Sequence, residues 1–229
     1  MRTQGVEEIL VDVPFTILLN ESLEVIRFPE IKQEYNLTGE GIRIGLLDTG
    51  VDSAIVPYTI GYDFVNNDED AFDDHGHGTQ MASILHEIAP DAELVVAKVI
   101  DSAGKGYMSD VMAGLLWCLE QQVDIISFSF GSTGRCGGFC DDDLVSMLCA
   151  NAVESGVFVV ASAGNDGSKK LVSPACSREV FSVGASDNDD GIAGFSNVNP
   201  TLDMFAPGVA IFTSVGGGSG TSYSAPSEC

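Results

Sequence analysis

The segments Leu94-Val-Val-Ala-Lys-Val-Ile100 and Ile125-Ile-Ser-Phe-Ser-Phe130, with the residues between them, decide the fold of this chain. Both segments are short, rich in β-branched or aromatic residues, and closed by Asp or Gly, which is typical of buried strands. Between them, apolar residues recur at intervals of three and four from Val111 to Leu119, which predicts a helix with Ser109 as its N-cap. A strand, a helix and a second strand therefore follow one another here.

The same alternation continues on both sides of this unit. Residues 42–47 and 157–161 are predicted strands, and residues 144–154 have a helical pattern that stops at Ser155-Gly156. Near-continuous apolar strands that alternate with amphipathic helices indicate a three-layer α/β fold, with a mostly parallel central β-sheet and helices on both faces. In such sheets, function gathers at the carboxyl ends of the strands. The candidate residues that come just after predicted strands are Asp48, Gly131 and Asn165.

Length and composition narrow the possible partners. The chain has 229 residues, of which 45% are hydrophobic, so one domain with a substantial core is predicted. Ten Lys and Arg against 34 Asp and Glu give a net charge of −24, which argues against nucleic acid or an anionic membrane as a partner. The imbalance serves either solubility or the binding of cations and basic substrates. No apolar run approaches the ~18 residues of a membrane-spanning helix.

Six cysteines are too few for a disulfide-based scaffold in a chain of this length. Cys136 and Cys140 are the one close pair, and their spacing suits either a small disulfide loop or half of a metal site. The other four are interpreted as lone buried thiols.

Four short segments carry the residue types that could support chemistry. Taken singly, each has an ordinary structural explanation as a turn, a loop or a flexible connection. They are Asp48-Thr-Gly-Val-Asp52, His75-Gly-His-Gly-Thr-Gln80, Ala161-Ser-Ala-Gly-Asn-Asp-Gly167 and Gly220-Thr-Ser-Tyr-Ser-Ala-Pro226.

Taken together, these segments supply the groups of an acyl-transfer site. A serine hydroxyl becomes a good nucleophile when a neutral imidazole takes its proton, and a carboxylate keeps that imidazole in the right tautomer. An Asn amide can donate to the oxyanion that then develops. Asp48, His77, Ser222 and Asn165 are far apart in sequence, so the fold must bring them together. The order Asp, His, Ser differs from that of chymotrypsin-like and α/β-hydrolase enzymes.

These four motifs, in this order, resemble those of the subtilisin-like serine proteases, the subtilase family. The resemblance extends over residues 19–226 and includes Ser127-Phe-Ser-Phe-Gly131 and Phe205-Ala-Pro-Gly208. It implies a serine endopeptidase that cleaves polypeptide substrates through an acyl-enzyme and needs no cofactor for its chemistry. It also implies that the chain is secreted, although residues 1–8 lack the basic start and apolar run of a signal peptide.

The resemblance assigns a role to each candidate residue. Asp48 would orient the imidazole, His77 would be the general base, Ser222 the nucleophile at a helix start, and Asn165 the oxyanion donor. Two short segments would pair with substrate as extra strands, and a third would form the wall of the primary specificity pocket, where small residues leave room for a large apolar side chain. The residues expected to bind substrate are Gly104, Lys105, Gly106, Ser129, Phe130, Gly131, Ser162, Ala163 and Gly164.

The resemblance also predicts how the chain is divided. Residues 6–13 resemble the last strand of an inhibitory propeptide, so residues 1–18 are predicted to be a remnant of that partner. Residues 19–229 are predicted to be the catalytic domain without its C-terminal part, because only seven residues follow Ser222. If that loss disturbs the site, the alternative function is a catalytically impaired, truncated subtilase that acts as a peptide-binding module.

Metal sites are the remaining open question. The short connection from Met81 to Val95 lacks the calcium-binding loop that many subtilases insert there, so calcium at that site is unsupported. The acidic runs at 141–143 and 187–190 are interpreted as solvated loops, with calcium as the alternative. A separate hypothesis combines His75, His77 and Asp48 in a metal site.

Two departures from the family motifs, Gln80 in place of a second His and Ser224 where Ala is common, are expected to matter little.

Overall fold

A seven-stranded parallel sheet forms the centre of the molecule in the computed structural model, which describes residues 28–213 and 215–229. The strands lie in the order β2-β3-β1-β4-β5-β6-β7, and every neighbouring pair is parallel. Their bounds are β1 Arg43–Asp48, β2 Ile60–Asp63, β3 Glu93–Lys98, β4 Ile125–Phe128, β5 Phe158–Ser162, β6 Phe181–Ser186 and β7 Met204–Pro207. A short antiparallel pair follows, β8 Ile211–Thr213 and β9 Gly216–Gly218.

Helices cover both faces of the sheet. Their bounds are α1 Phe28–Tyr35, α2 His77–Ile88, α3 Met108–Glu120, α4 Leu144–Glu154 and α5 Thr221–Ser224, which continues as a 3-10 helix over Ala225–Glu228. On one face, Leu115 of α3 and Cys149 of α4 belong to the same buried apolar cluster as Leu47 of β1. On the other, α2 packs Met81 against Leu46, the residue next to Leu47. The predicted three-layer α/β fold is therefore confirmed.

Strands that are covered on both faces have no reason to alternate polar with apolar residues. In β1 the five residues from Ile44 onward are all buried. Successive side chains of a strand point to opposite faces, so each residue meets one helix layer or the other. This is why the sequence of each central strand is an almost unbroken apolar run.

The structure corrects the start of one helix and confirms the extent of another. The predicted helix over 144–154 has those bounds, and the Asp143 carboxylate caps it by accepting from the Ser146 backbone N–H at 3.2 Å. Helix α3 begins at Met108, so Ser109 is not its N-cap. The extended residue Tyr107 precedes the helix, and the Ser109 hydroxyl donates to Asp110 instead.

The disulfide joins distant segments and not the close cysteine pair. Cys140 is bonded to Cys176, 36 residues away, so a local Cys136–Cys140 loop is wrong. Cys136 is free, and its backbone pairs with that of Leu171. Cys149 is a buried thiol whose pKa burial raises to about 12, as expected of an inert core cysteine. The bridge ties the loop before α4 to the segment that follows β5.

The helices are short compared with the thickness of a membrane. In the ranges 28–213 and 215–229 the longest helix has 13 residues, too few to cross a bilayer.

The predicted propeptide remnant, residues 1–18, lies outside the described residues, as does the start of the predicted catalytic domain at residue 19.

Candidate active site

The carboxyl edge of the sheet gathers the predicted catalytic residues. Asp48 is the last residue of β1 and is 1% exposed, and Asn165 lies three residues beyond the end of β5. His77 is the first residue of α2, and Ser222 lies in α5, on the same side of the sheet as α2. Residues that are separated by up to 174 positions therefore reach one edge because parallel strands all end there.

Asp48 holds the His77 ring by a direct hydrogen bond. His77 Nδ1 lies 2.7 Å from Asp48 Oδ1, and the Thr49 backbone N–H donates to the same oxygen. An ionised carboxylate can only accept, so Nδ1 carries the proton of the neutral ring. The lone pair is consequently on Nε2, which makes that nitrogen the basic one.

Ser222 and Asn165 face one small space beside Gly220. Asn165 Oδ1 accepts from the Thr221 backbone N–H at 2.7 Å, which fixes the orientation of the amide and leaves Nδ2 on its other side. A Cβ atom placed on Gly220 would lie 3.1 Å from Ser222 Oγ and 3.3 Å from Asn165 Nδ2. Only glycine leaves this space open, and an oxyanion that formed there would have the amide as a hydrogen-bond donor.

A hydrogen bond between two other side chains links the helix of His77 to the helix of Ser222. The Tyr223 hydroxyl donates to Gln80 Oε1, which joins α5 to the first turn of α2. Within the described ranges, the His77 ring is hydrogen-bonded to Asp48 and makes no hydrogen bond to Ser222. Such bonds are often long without substrate and tighten in the complex. Gln80, expected to matter little, thus contributes to how the two helices meet.

Asp73 was missed by the sequence analysis and organises the loop before His77. Its carboxylate accepts from the Thr49 hydroxyl at 2.8 Å, from the Gly76 N–H at 2.7 Å, and from both the N–H and the hydroxyl of Thr79. Thr49 Oγ1 in turn accepts from the Gly78 N–H. These bonds satisfy the N–H groups of Gly76, Gly78 and Thr79 at the start of α2, whose N-cap residue makes no side-chain bond of its own. An acidic residue four positions before a helix start was the available signal.

The pKa of His77 reflects opposing effects. Burial lowers it, whereas the charge and hydrogen bond of Asp48 and the charge of Asp73 raise it. The raising effects are larger, so the pKa of His77 lies above its usual value. Because the neutral ring is the base, activity is expected to fall as the pH drops through this raised pKa.

Replacing Asp73 with Asn is expected to separate the two effects of this carboxylate. Loss of its charge lowers the pKa of His77, so the ring stays neutral to lower pH and the acid limb of the kcat/KM profile moves to lower pH. Weaker positioning of the ring also lowers the plateau kcat, by up to about 100-fold. The matched control is Thr49→Val, which removes bonds to Asp73 and Gly78 but no charge. A Thr49→Val profile that shifts as far as that of Asp73→Asn would contradict this assignment.

Four of the nine residues expected to bind substrate line one cleft, and the other five lie elsewhere at this edge of the sheet. Gly104, Gly106, Phe130 and Gly131 line one cleft of about 340 Å³. Lys105 lies in a tight turn, where its N–H donates to Asp101. Ser129 is buried, and Ser162, Ala163 and Gly164 form the end of β5 and the turn after it. Residues 104–106 and 129–131 lie outside the sheet. In the first segment the Gly104 N–H and the Lys105 carbonyl already bond Asp101, so a peptide would have to pair with the other main-chain groups there.

The structure does not assemble the alternative metal sites. The described residues contain no group of three or more His, Cys, Asp or Glu side chains placed to hold a metal ion, and the His75 and His77 ring centroids are 6.4 Å apart. The acidic runs have other contacts. Asp143 caps α4, Asp141 pairs with Arg178, and Asp187 accepts from the N–H groups of Asp189 and Gly191.

A buried Asp that holds a half-buried His, in one site with a serine and an amide donor, is the arrangement of serine peptidases. The model of the subtilase family matches residues 39–227. The chain therefore belongs to the subtilase family, which confirms the predicted class of serine-type endopeptidase.

Three comparisons show how far the similarity extends. An intracellular serine protease of Paenibacillus polymyxa is 32% identical over 93% of this chain and 74% of that protein. Alkaline elastase YaB of Bacillus sp. (strain YaB) is 32% identical over 86% of this chain, which spans about half (53%) of that protein. The crystal structure of a cold adapted subtilisin-like serine proteinase superimposes with a TM-score of 0.73 at 30% identity, over 84% of this chain and 74% of that chain.

Proposed function

We propose that this chain hydrolyses internal peptide bonds through an acyl-enzyme formed on Ser222. The observation that carries the proposal is the convergence of four groups at one edge of the sheet. Asp48 bonds His77, the helix of His77 is tied to that of Ser222, and Asn165 shares the space beside Gly220 with the serine hydroxyl. These are the parts of a nucleophile, its base and an oxyanion donor.

In the first half of the proposed reaction, Ser222 Oγ attacks the carbonyl carbon of the peptide bond while His77 Nε2 takes its proton. The Asp48 carboxylate stabilises the imidazolium that results, and Asn165 Nδ2 donates to the oxyanion. When the intermediate collapses, the C–N bond breaks and His77 returns the proton to the leaving amine. The acyl group remains as an ester on Ser222.

In the second half, water attacks this ester with His77 again as the base. The second oxyanion is stabilised in the same way, and its collapse breaks the ester bond and reprotonates Ser222. Side chains of this chain supply every group that these steps need, so we propose that the chemistry requires no cofactor.

The proposed substrate is an extended polypeptide. Its main chain would pair with residues 129–131 and 104–106, whose backbone groups are outside the sheet. The cleft lined by Gly104, Gly106, Phe130 and Gly131 has room for a substrate side chain, since its volume is about 340 Å³. Tyr107 and Met108 lie at the same cleft and add apolar surface.

We also propose that residues 1–18 derive from an inhibitory propeptide and that the catalytic domain begins at residue 19. This division is supported by the resemblance of residues 6–13 to the last propeptide strand of subtilases. We propose secretion on the same ground, the resemblance to a family with many secreted members.

A fluorophosphonate probe tests the proposed function directly. It reacts only with an activated serine, so mass spectrometry of the labelled, folded chain should place the adduct on Ser222. Ser222→Ala should abolish labelling. The matched control is Ser224→Ala, two residues away, which puts the residue common in subtilases at that position and should preserve labelling. No adduct on the folded chain would favour the alternative function, a peptide-binding module without turnover.

A further inference from the structure

Lys98 is a buried cation to which the proposed reaction gives no role. It is the last residue of β3 and is 1% exposed, and the four residues before it in the strand, 94–97, are all apolar. Lysine is almost never fully buried unless it is paired, because removing an ammonium group from water is costly. The partners of this ammonium group therefore indicate why a lysine stands at the carboxyl edge of the sheet.

The Lys98 ammonium group bridges two segments of the active site. Nζ donates to the Thr49 carbonyl at 2.7 Å and to Asp74 Oδ1 at 2.6 Å. Thr49 follows Asp48 directly, and Asp74 lies three residues before His77. The cation thus ties the turn after the catalytic carboxylate to the loop that leads into the catalytic histidine.

The register of the sheet places this bridge beside Asp48. Lys98 is aligned with Asp48 of β1 on one side and with Asp63 of β2 on the other. Asp63 accepts from N–H groups of its own loop, and Asp48 Oδ1 lies 2.7 Å from His77 Nδ1. The Thr49 N–H donates to Asp48 Oδ1 while the Thr49 carbonyl accepts from Lys98, so a single residue connects the cation to the catalytic carboxylate.

We infer that Lys98 is a positioning residue, which sets the geometry of the Asp48–His77 pair by holding Thr49 and Asp74 at a fixed separation. This inference rests on the proposed function, because it concerns the same site. Hydrogen bonds from an ammonium group are stronger than those between neutral groups, so the bridge resists displacement at both ends. Without it the imidazole can shift, and a shift of ~1 Å is enough to lower the rate about 100-fold.

The test removes each end of the bridge in turn. Lys98→Met keeps the length of the side chain but loses its charge and both hydrogen bonds. It should lower kcat about 10- to 100-fold and leave KM within a few-fold of the native value, because Lys98 does not line the cleft proposed to bind substrate. Asp74→Ala should lower kcat by a smaller factor, and it decides the question if the methionine variant does not fold, since the Asp74 side chain is 45% exposed.

A double variant and a matched control complete the series. If Lys98 and Asp74 act as one bridge, combining Lys98→Met with Asp74→Ala should lower kcat little further than Lys98→Met alone. Asp70→Ala is the control, because Asp70 is an exposed residue of the same loop whose charge acts on Tyr58. It removes the same charge as Asp74→Ala and should leave kcat unchanged.

Proton NMR gives a second readout, which a loss of stability alone would not change. The Nδ1 proton of His77, held in a charge-assisted bond to Asp48, should give a signal far downfield of the amide protons in the native chain and in Asp70→Ala. In folded Lys98→Met this signal should shift or broaden, because the two segments that set the bond are no longer tied together.

Three results would overturn the inference while the proposed function stands on a native chain that labels at Ser222. They are a folded Lys98→Met variant with native kcat and a native His77 signal, an Asp74→Ala variant with the same kcat as Asp70→Ala, and losses at positions 74 and 98 that multiply in the double variant. A folded native chain that neither labels nor cleaves peptides would instead overturn the proposed function, and this inference with it.

Discussion

Replacing His77 with alanine is expected to lower kcat about 10⁶-fold, the size of loss that subtilisin itself shows when its histidine is removed. Without the imidazole, nothing takes the Ser222 proton, so the hydroxyl remains a poor nucleophile. The two residues act as one unit, and adding Ser222→Ala to His77→Ala should therefore change kcat little further. The measurement is kcat for the native chain, both single variants and the double variant on one peptide substrate.

His75 provides a matched control for this series. It is two residues away, exposed, and not hydrogen-bonded to Asp48 through its ring. His75→Ala should keep kcat within a few-fold of the native value. Equal losses at positions 75 and 77, or losses at 77 and 222 that multiply in the double variant, would contradict the assignment of His77 as the base of Ser222.

The second large effect is expected at Asp48. Asp48→Asn keeps the shape of the side chain but allows its amide to donate to His77 Nδ1 in place of accepting from it. The ring proton then moves to Nε2, the nitrogen that must accept from serine, and kcat is expected to fall about 10⁴-fold. The measurement is kcat on the same peptide, with folding monitored by circular dichroism.

Asp52→Asn is the control for charge alone. Asp52 belongs to the same motif and accepts from the Ala54 N–H, with no bond to His77. It should leave kcat nearly unchanged. An Asp48→Asn variant that keeps more than a tenth of native kcat would exclude Asp48 as the residue that fixes the tautomer of His77.

Local patterns in the sequence were enough to predict the layers of the fold. Residues 42–47, 94–100, 125–130 and 157–161 are mostly apolar because helices cover both faces of the sheet, and this pattern can be recognised within a few residues. The helix over 144–154 could be bounded because Gly156 adopts φ 96°, a conformation that favours glycine and ends helices. Each of these predictions depends on neighbours along the chain.

The role of Asp73 and the disulfide partner of Cys140 could not be predicted, because both depend on contacts between residues that are far apart in sequence. Asp73 looks like a loop residue until the fold brings Thr49 beside it. Cys136 and Cys140 are close in sequence and look like a disulfide pair. Cys140 is instead bonded to Cys176, which comes after β5 in the chain.

The first turn of helix α2 is stabilised by side chains from other parts of the chain, Thr49 and Asp73. A 12-residue helix is marginal by itself in water, and the caps of α2 come from the end of β1 and from the Asp73 loop. The position of the imidazole thus depends on the folded sheet as well as on its own helix. A partly unfolded chain in which these bonds are broken is therefore expected to have little peptidase activity, although it carries every catalytic side chain.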